Sequence, residues 1–135
     1  MNKSKVAVCS RSFSKNEILR KELELKYDFI KFNDEGLKLE GENLISFLKD
    51  QEKAIIALEK IDESILSFLP DLKVISKYGV GTDMLKMEAL KKFNIKLGHK
   101  KGINKRSVAE LTIAFMLNML RKLPQSNKKI ISGGW

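Results

Sequence analysis

A chain of 135 residues, 43% of them hydrophobic, has the length of one domain and enough apolar side chains for a real core. Its lone cysteine, Cys9, excludes an internal disulfide and suits a reducing compartment; no apolar run reaches the length of a membrane span, and the opening run is too short for a secretory signal, so a cytoplasmic chain is expected. The net charge of +9 is lopsided, because residues 100–135 hold eight Lys or Arg against one acid, Glu110, and so carry +7 of it.

In chain order, the pattern alternates. Residues 5–10 read as a strand, and Ser14 with Glu17 forms a capping box for a helix running to about Lys26. Residues 29–33 read as the second strand, followed by a polar, glycine-punctuated loop over 34–41. Leu44, Ile45, Phe47 and Leu48 mark the apolar stripe of a helix, and residues 54–58 form a continuous apolar strand. Asp62 caps a short helix carrying Ile65, Leu66, Phe68 and Leu69, closed by Pro70. Val74 and Ile75 begin a fourth strand, a helix is predicted from Asp83 to Phe93, and residues 95–97 make a fifth strand. Residues 100–106 are a basic loop, and a long last helix begins at Ser107. Residues 124–135 have a linker-like content of Ser, Asn and Gly.

Five apolar strands alternating with helices predict an α/β fold, a flavodoxin-like open parallel five-stranded sheet with helices on both faces, ending in a long apolar helix. The fourth strand runs into Gly79-Val80-Gly81 just before a predicted helix. That puts bare backbone at the carboxyl edge of the sheet, where open α/β sheets bind ligands. Gly79 and Gly81 can take positive φ, and the amides of Val80 and Gly81 can form an anion-binding concavity. The same spacing also fits a glycine-rich βα turn with no ligand.

Other chemistries of this fold are excluded by residue type. A phosphate-accepting receiver needs acids after the first and third strands, where Cys9-Ser10-Arg11 and Leu58-Glu59 stand instead. No Gly-x-x-x-x-Gly-Lys-Ser/Thr occurs, and Gly79 to Met84 lacks the third glycine of a dinucleotide fingerprint. One His and one Cys do not make a metal site, and no metal is expected. His99, at the end of the fifth strand, stands where a catalytic residue can lie, but with no carboxylate nearby in sequence it reads rather as an ordinary loop histidine. The basic end of the chain is one signature of nucleic-acid binding. Its cations flank an apolar helix without interleaved aromatics, which favours a solvated face or one that attracts small anions.

The last helix is apolar around nearly its whole circumference from Leu111 to Leu120, broken only by Thr112 and Asn118. One small sheet covers one side of such a helix, so the remainder calls for another domain or subunit. A second capping box, Ser107 with Glu110, marks its start.

Several motifs in order carry a family resemblance. Leu72-Lys-Val-Ile-Ser-Lys-Tyr-Gly-Val-Gly-Thr-Asp83, Glu88-Ala-Leu-Lys-Lys92, Gly102-Ile-Asn-Lys-Arg-Ser-Val-Ala-Glu-Leu111, Arg121-Lys-Leu-Pro124 and Gly134-Trp135 closely resemble the N-terminal region of D-2-hydroxyacid dehydrogenases. Within that family the chain is most similar to the D-3-phosphoglycerate dehydrogenase group. The likeness is strongest over residues 62–135 and covers the whole chain in outline.

The resemblance implies an NAD-dependent oxidoreductase acting on a D-2-hydroxy or 2-oxo acid, with 3-phosphoglycerate one candidate. It implies that Val80 and Gly81 amides, after Gly79, hold the substrate carboxylate, that Lys77 supplies a nearby cation, and that Asn104 orients substrate beside the nicotinamide. Val108 and Thr112 would line the cofactor cleft. Surface or packing roles for Lys77 and Thr112 fit the residues as well. The implied division is a substrate-binding domain over 1–106 and an interdomain or dimerisation helix with the start of a linker over 107–135, pairing into a homodimer through residues 107–122. Two departures stand out. Lys100-Lys101 replaces the Thr-Pro usual before the glycine matching Gly102, and the family's Gly-x-Gly-x-x-Gly segment and catalytic Arg, Glu and His find no match, His99 included. The expectation is a chain cut before the cofactor domain and inactive by itself; the runner-up is a non-catalytic binding or oligomerisation module that keeps the fold.

Overall fold

The computed structural model describes residues 2–134 and divides into two compact units, residues 1–100 and 101–135. In the first, β1 (Asn2–Val8), β2 (Tyr27–Phe32), β3 (Lys53–Ile56), β4 (Val74–Lys77) and β5 (Lys96–Gly98) form one sheet in the order β2-β1-β3-β4-β5, with every pair parallel. This is the expected flavodoxin-like order, with its topological switch between β1 and β3.

Alternation along β1 sends side chains to two cores. Ala7 and Cys9 join Ile56, Ile75, Leu44 and Leu48, with helices α3 (Gly41–Leu48), α4 (Glu63–Leu66) and α5 (Met87–Lys92) on that face. Val6 and Val8 point the other way, toward Phe13 of α1 (Arg11–Ser14) and Leu23 of α2 (Glu17–Glu24). The first core is the larger, and it holds most of the fully buried aliphatic residues. Cys9 lies within it, and burial, reinforced by the Glu59 carboxylate, raises its thiol pKa far above the ordinary 9.0, so the thiolate is suppressed.

Several helix starts differ from expectation. Ser10, not Ser14, caps α1, its hydroxyl accepting from the Phe13 amide at 3.3 Å, and Asn16 caps α2 by accepting from Leu19 at 3.1 Å. Ser14 is buried instead, donating to the Val8 carbonyl at 3.4 Å and accepting from the Asn33 amide at 3.1 Å. Asp62 does cap α4, which stops at Leu66 and leaves Phe68 exposed. The helix expected from Asp83 begins only at Met87. Ile61 pairs with this segment first, donating to Met84 and accepting from Lys86, so its backbone groups are already spent.

The second unit holds α6 (Lys105–Leu120) and α7 (Leu123–Ile131). Asn104 stands at the N-cap of α6, and the expected Ser107–Glu110 box does not form, because Glu110 accepts from Arg106 Nε at 2.8 Å. The linker expected over 124–135 is helical as far as Ile131, with Pro124 in its first turn, where a missing N–H costs nothing. Lys122, left-handed at φ 53°, separates the two helices. Trp135, part of the resemblance, lies outside the described residues. No helix among the described residues is long and apolar enough to cross a membrane.

Candidate functional site

The carboxyl ends of β3, β4 and β5 build the site. Tyr78 extends the β3–β4 ladder by one bond, its amide donating to Ile56 at 2.7 Å, and its ring meets Phe13 edge-on with centroids 5.4 Å apart. The chain then leaves the sheet through Gly79-Val80-Gly81. Gly79 sits at φ 122°, a conformation that side-chain-bearing residues rarely adopt. Gly81, also expected to be free for positive φ, does not use it; a Cβ there would meet only the Asp83 carboxylate, at 3.3 Å. Gly79→Ala is therefore expected to cost about 1–3 kcal/mol of stability, and Gly81→Ala only a few tenths of that range. Urea unfolding of both variants checks the difference.

Lys77 closes the floor of this loop. Its ammonium donates to the carbonyls of Ala57 and Tyr78, the latter at 3.3 Å, while Glu59 accepts from the Ala57 amide at 2.6 Å. Lys77 and Glu59 thus bracket the Ala57 backbone at the end of β3. Burial pulls the Lys77 ammonium below its ordinary pKa, and the carboxylates of Glu59 and Asp83 oppose that pull. The Val80 carbonyl faces His99, whose Nε2 lies 3.0 Å away. Within residues 2–100 the amides of Val80 and Gly81 have no hydrogen-bond partner, and both residues are exposed. Two neighbouring donors beside a half-buried ammonium are chemically suited to a carboxylate.

A cleft of about 290 Å³ opens at the switch point between β1 and β3, lined among others by Ser10, Arg11, Lys38, Glu59 and Lys60. Leu37, Leu39 and Leu58 share its walls with these charged groups and with Glu40, so the lining is mixed apolar and charged.

In the second unit, Asn104, Val108 and Thr112 recur every four residues and so share one face of α6. The Asn104 carbonyl accepts from the Val108 amide at 3.1 Å, and the Thr112 hydroxyl donates to the Val108 carbonyl at 2.7 Å. Within residues 101–134 the Asn104 side chain makes no hydrogen bond, leaving its amide available to a ligand. Lys77, Gly79, Val80 and Gly81 are thus gathered in one loop, and Asn104, Val108 and Thr112 on one helix. The contacts of His99 with Val80 and of Lys77 with Ala57 were not expected, since they join strand ends that are far apart in sequence.

The phosphates of a dinucleotide do not fit these residues. Gly81 leads into a turn and the pairing with Ile61, not into a helix, and α5 has only six residues. A pyrophosphate cradle needs close glycines at a helix N-terminus.

Comparison with known proteins agrees with this fold. Residues 6–133 match the family described as D-isomer specific 2-hydroxyacid dehydrogenase, catalytic domain. Glyoxylate reductase of Thermofilum pendens is 33% identical over 95 residues, covering 70% of this chain and 28% of the relative. D-3-phosphoglycerate dehydrogenase of Archaeoglobus fulgidus is 32% identical over 95 residues, covering 70% and 18% respectively. Among solved structures, a Pyrococcus horikoshii OT3 protein superposes with a TM-score of 0.79 at 26% identity, over 99% of this chain and 38% of its own. The NAD+-bound 3-phosphoglycerate dehydrogenase of Entamoeba histolytica gives 0.65 at 27% identity, over 87% and 39%. The chain therefore spans less than a third of the length of the curated relatives named here. With the family matched over nearly all of its residues, this chain belongs to the D-isomer specific 2-hydroxyacid dehydrogenases.

Proposed function

We propose that this chain is the substrate-binding part of an NAD-dependent oxidoreductase acting on the CH–OH group of a D-2-hydroxy acid, with 3-phosphoglycerate a candidate. The observation that carries this reading is the pair of unpartnered amides at Val80 and Gly81, presented by the Gly79 turn at the end of β4. They hold the substrate carboxylate. Lys77 keeps a third N–H and its charge for the same anion, and Asn104 orients the acid. Val108 and Thr112 offer packing surface toward a nicotinamide, whose chemistry is hydride transfer. The chain's own work is binding and orientation. Residues 1–106 form the substrate domain, and residues 107–135 carry the interdomain segment, with two copies pairing through residues 107–122. A single buried thiol suits a cytoplasmic setting.

Calorimetric titration of the 135-residue chain with D-glycerate tests this. The expected result is weak, millimolar-range binding that salt weakens, with no turnover of the acid when NAD+ is added and no change in NADH fluorescence. Absence of binding to D-glycerate and 3-phosphoglycerate alike would contradict the substrate-domain reading. Turnover by residues 1–135 alone would contradict the division of labour.

A further inference from the structure

We infer that His99 is a positioning residue that aims the Gly81 amide at the substrate carboxylate. The inference rests on the carboxylate reading of the glycine loop and adds a residue to it. Its basis is the peptide unit joining Val80 and Gly81. That unit is planar and trans, since no cis peptide bond occurs among the described residues, so its C=O and N–H point in opposite directions. Whatever holds the Val80 carbonyl sets the direction of the Gly81 N–H.

The group that holds it is the His99 ring, with Nε2 at 3.0 Å from the Val80 oxygen. A carbonyl only accepts, so Nε2 carries the proton and donates. The register of the sheet puts the ring within reach. Gly98 pairs with Ser76 at the ends of β5 and β4, so His99 leaves the sheet beside the strand that feeds the glycine loop. A Cβ on Gly98 would lie 3.6 Å from the Ser76 hydroxyl, which shows how closely the two strand ends approach. His99 itself is half-buried, whereas Gly79, Val80 and Gly81 are exposed. Gly79 makes the turn possible but does nothing to hold its far side. Within residues 2–100, the His99 contact is the hydrogen bond made by the backbone of Val80 or Gly81. His99 therefore converts a loop that could rotate about Gly79 into one with a fixed donor direction, lowering the ordering cost of binding.

The test compares the 135-residue chain with His99→Ala and His99→Gln, the latter placing a side-chain N–H near the site of Nε2. D-Glycerate is titrated while the amides of Val80 and Gly81 are followed by NMR, and the urea midpoint of each variant is measured. His99→Ala is expected to raise the D-glycerate Kd about three- to tenfold, the effect of one hydrogen bond, with an unchanged urea midpoint. His99→Gln should restore affinity to within about twofold of the parent. Long-range proton–nitrogen spectra of the parent should show Nε2 protonated. Equal affinity in the parent and His99→Ala, or a ring protonated only at Nδ1, would overturn the positioning role while leaving the carboxylate site standing. No ligand shifts at Val80 and Gly81 in the parent would remove the carboxylate reading and this role together.

Discussion

Replacing Asn33 by Leu is expected to cost this chain about 2–4 kcal/mol, a large share of the roughly 5–15 kcal/mol that holds a domain of this kind together. Asn33 is 2% exposed and sits where β1 and β2 end. Its side-chain nitrogen donates to the carbonyls of Cys9 and Leu37, both at 2.9 Å, and its oxygen accepts from the Leu37 amide at 2.9 Å. Leucine is similar in size but satisfies none of these backbone groups. The Cys9 carbonyl would then be left without its side-chain partner in the interior, which is the costly case. Asn43→Leu, on the exposed face of α3, is the control and should change stability by less than about 0.5 kcal/mol. Urea unfolding of the two variants measures the contrast, and equal midpoints would contradict the role given to Asn33.

The second large effect concerns association. Along α6, Leu111, Ile113, Phe115, Met116, Leu117, Met119 and Leu120 are all exposed in the single chain, Phe115 at 59% and Met119 at 79%. They occur on all sides of a helix about 24 Å long. An apolar surface of this extent, on the order of several hundred Å², exceeds what soluble monomers usually leave in water. Pairing two copies across a two-fold axis is the simplest closed arrangement that covers it, and roughly 800 Å² per partner makes a stable interface. Sedimentation of the 135-residue chain is therefore expected to show a dimer. Met119→Glu, which forces a carboxylate into the covered face, should weaken association on the order of a hundredfold. A monomeric parent at high concentration, or a Met119→Glu variant that associates as tightly, would contradict the pairing.

Much of this fold was legible because strands announce themselves by composition. The apolar runs around Val6, Ile56 and Ile75 are flanked by turn residues, and each becomes a parallel strand of the one sheet. Helix starts were less legible, because a Ser-x-x-Glu pattern is local while its atoms can be claimed by tertiary contacts. Ser14 gives its hydroxyl to Val8 and Asn33, and Glu110 gives its carboxylate to Arg106. The second helix of the C-terminal unit was hidden by polar Gln125, Ser126 and Asn127, although Pro124 stands where a helix can begin. In the candidate site, Gly79 was legible as a turn residue. Its surroundings were not, because His99 reaches Val80, and Lys77 reaches Ala57, only after parallel strands have been aligned.

The most direct measurement is an amide NMR titration of the 135-residue chain with D-glycerate, followed residue by residue. The carboxylate reading predicts that the Val80 and Gly81 amides shift together and saturate at millimolar ligand, while core amides such as those of Val6 and Ile75 stay where they are. Shifts confined to the cleft around Ser10 and Arg11, or no saturable shift at Val80 and Gly81, would contradict it.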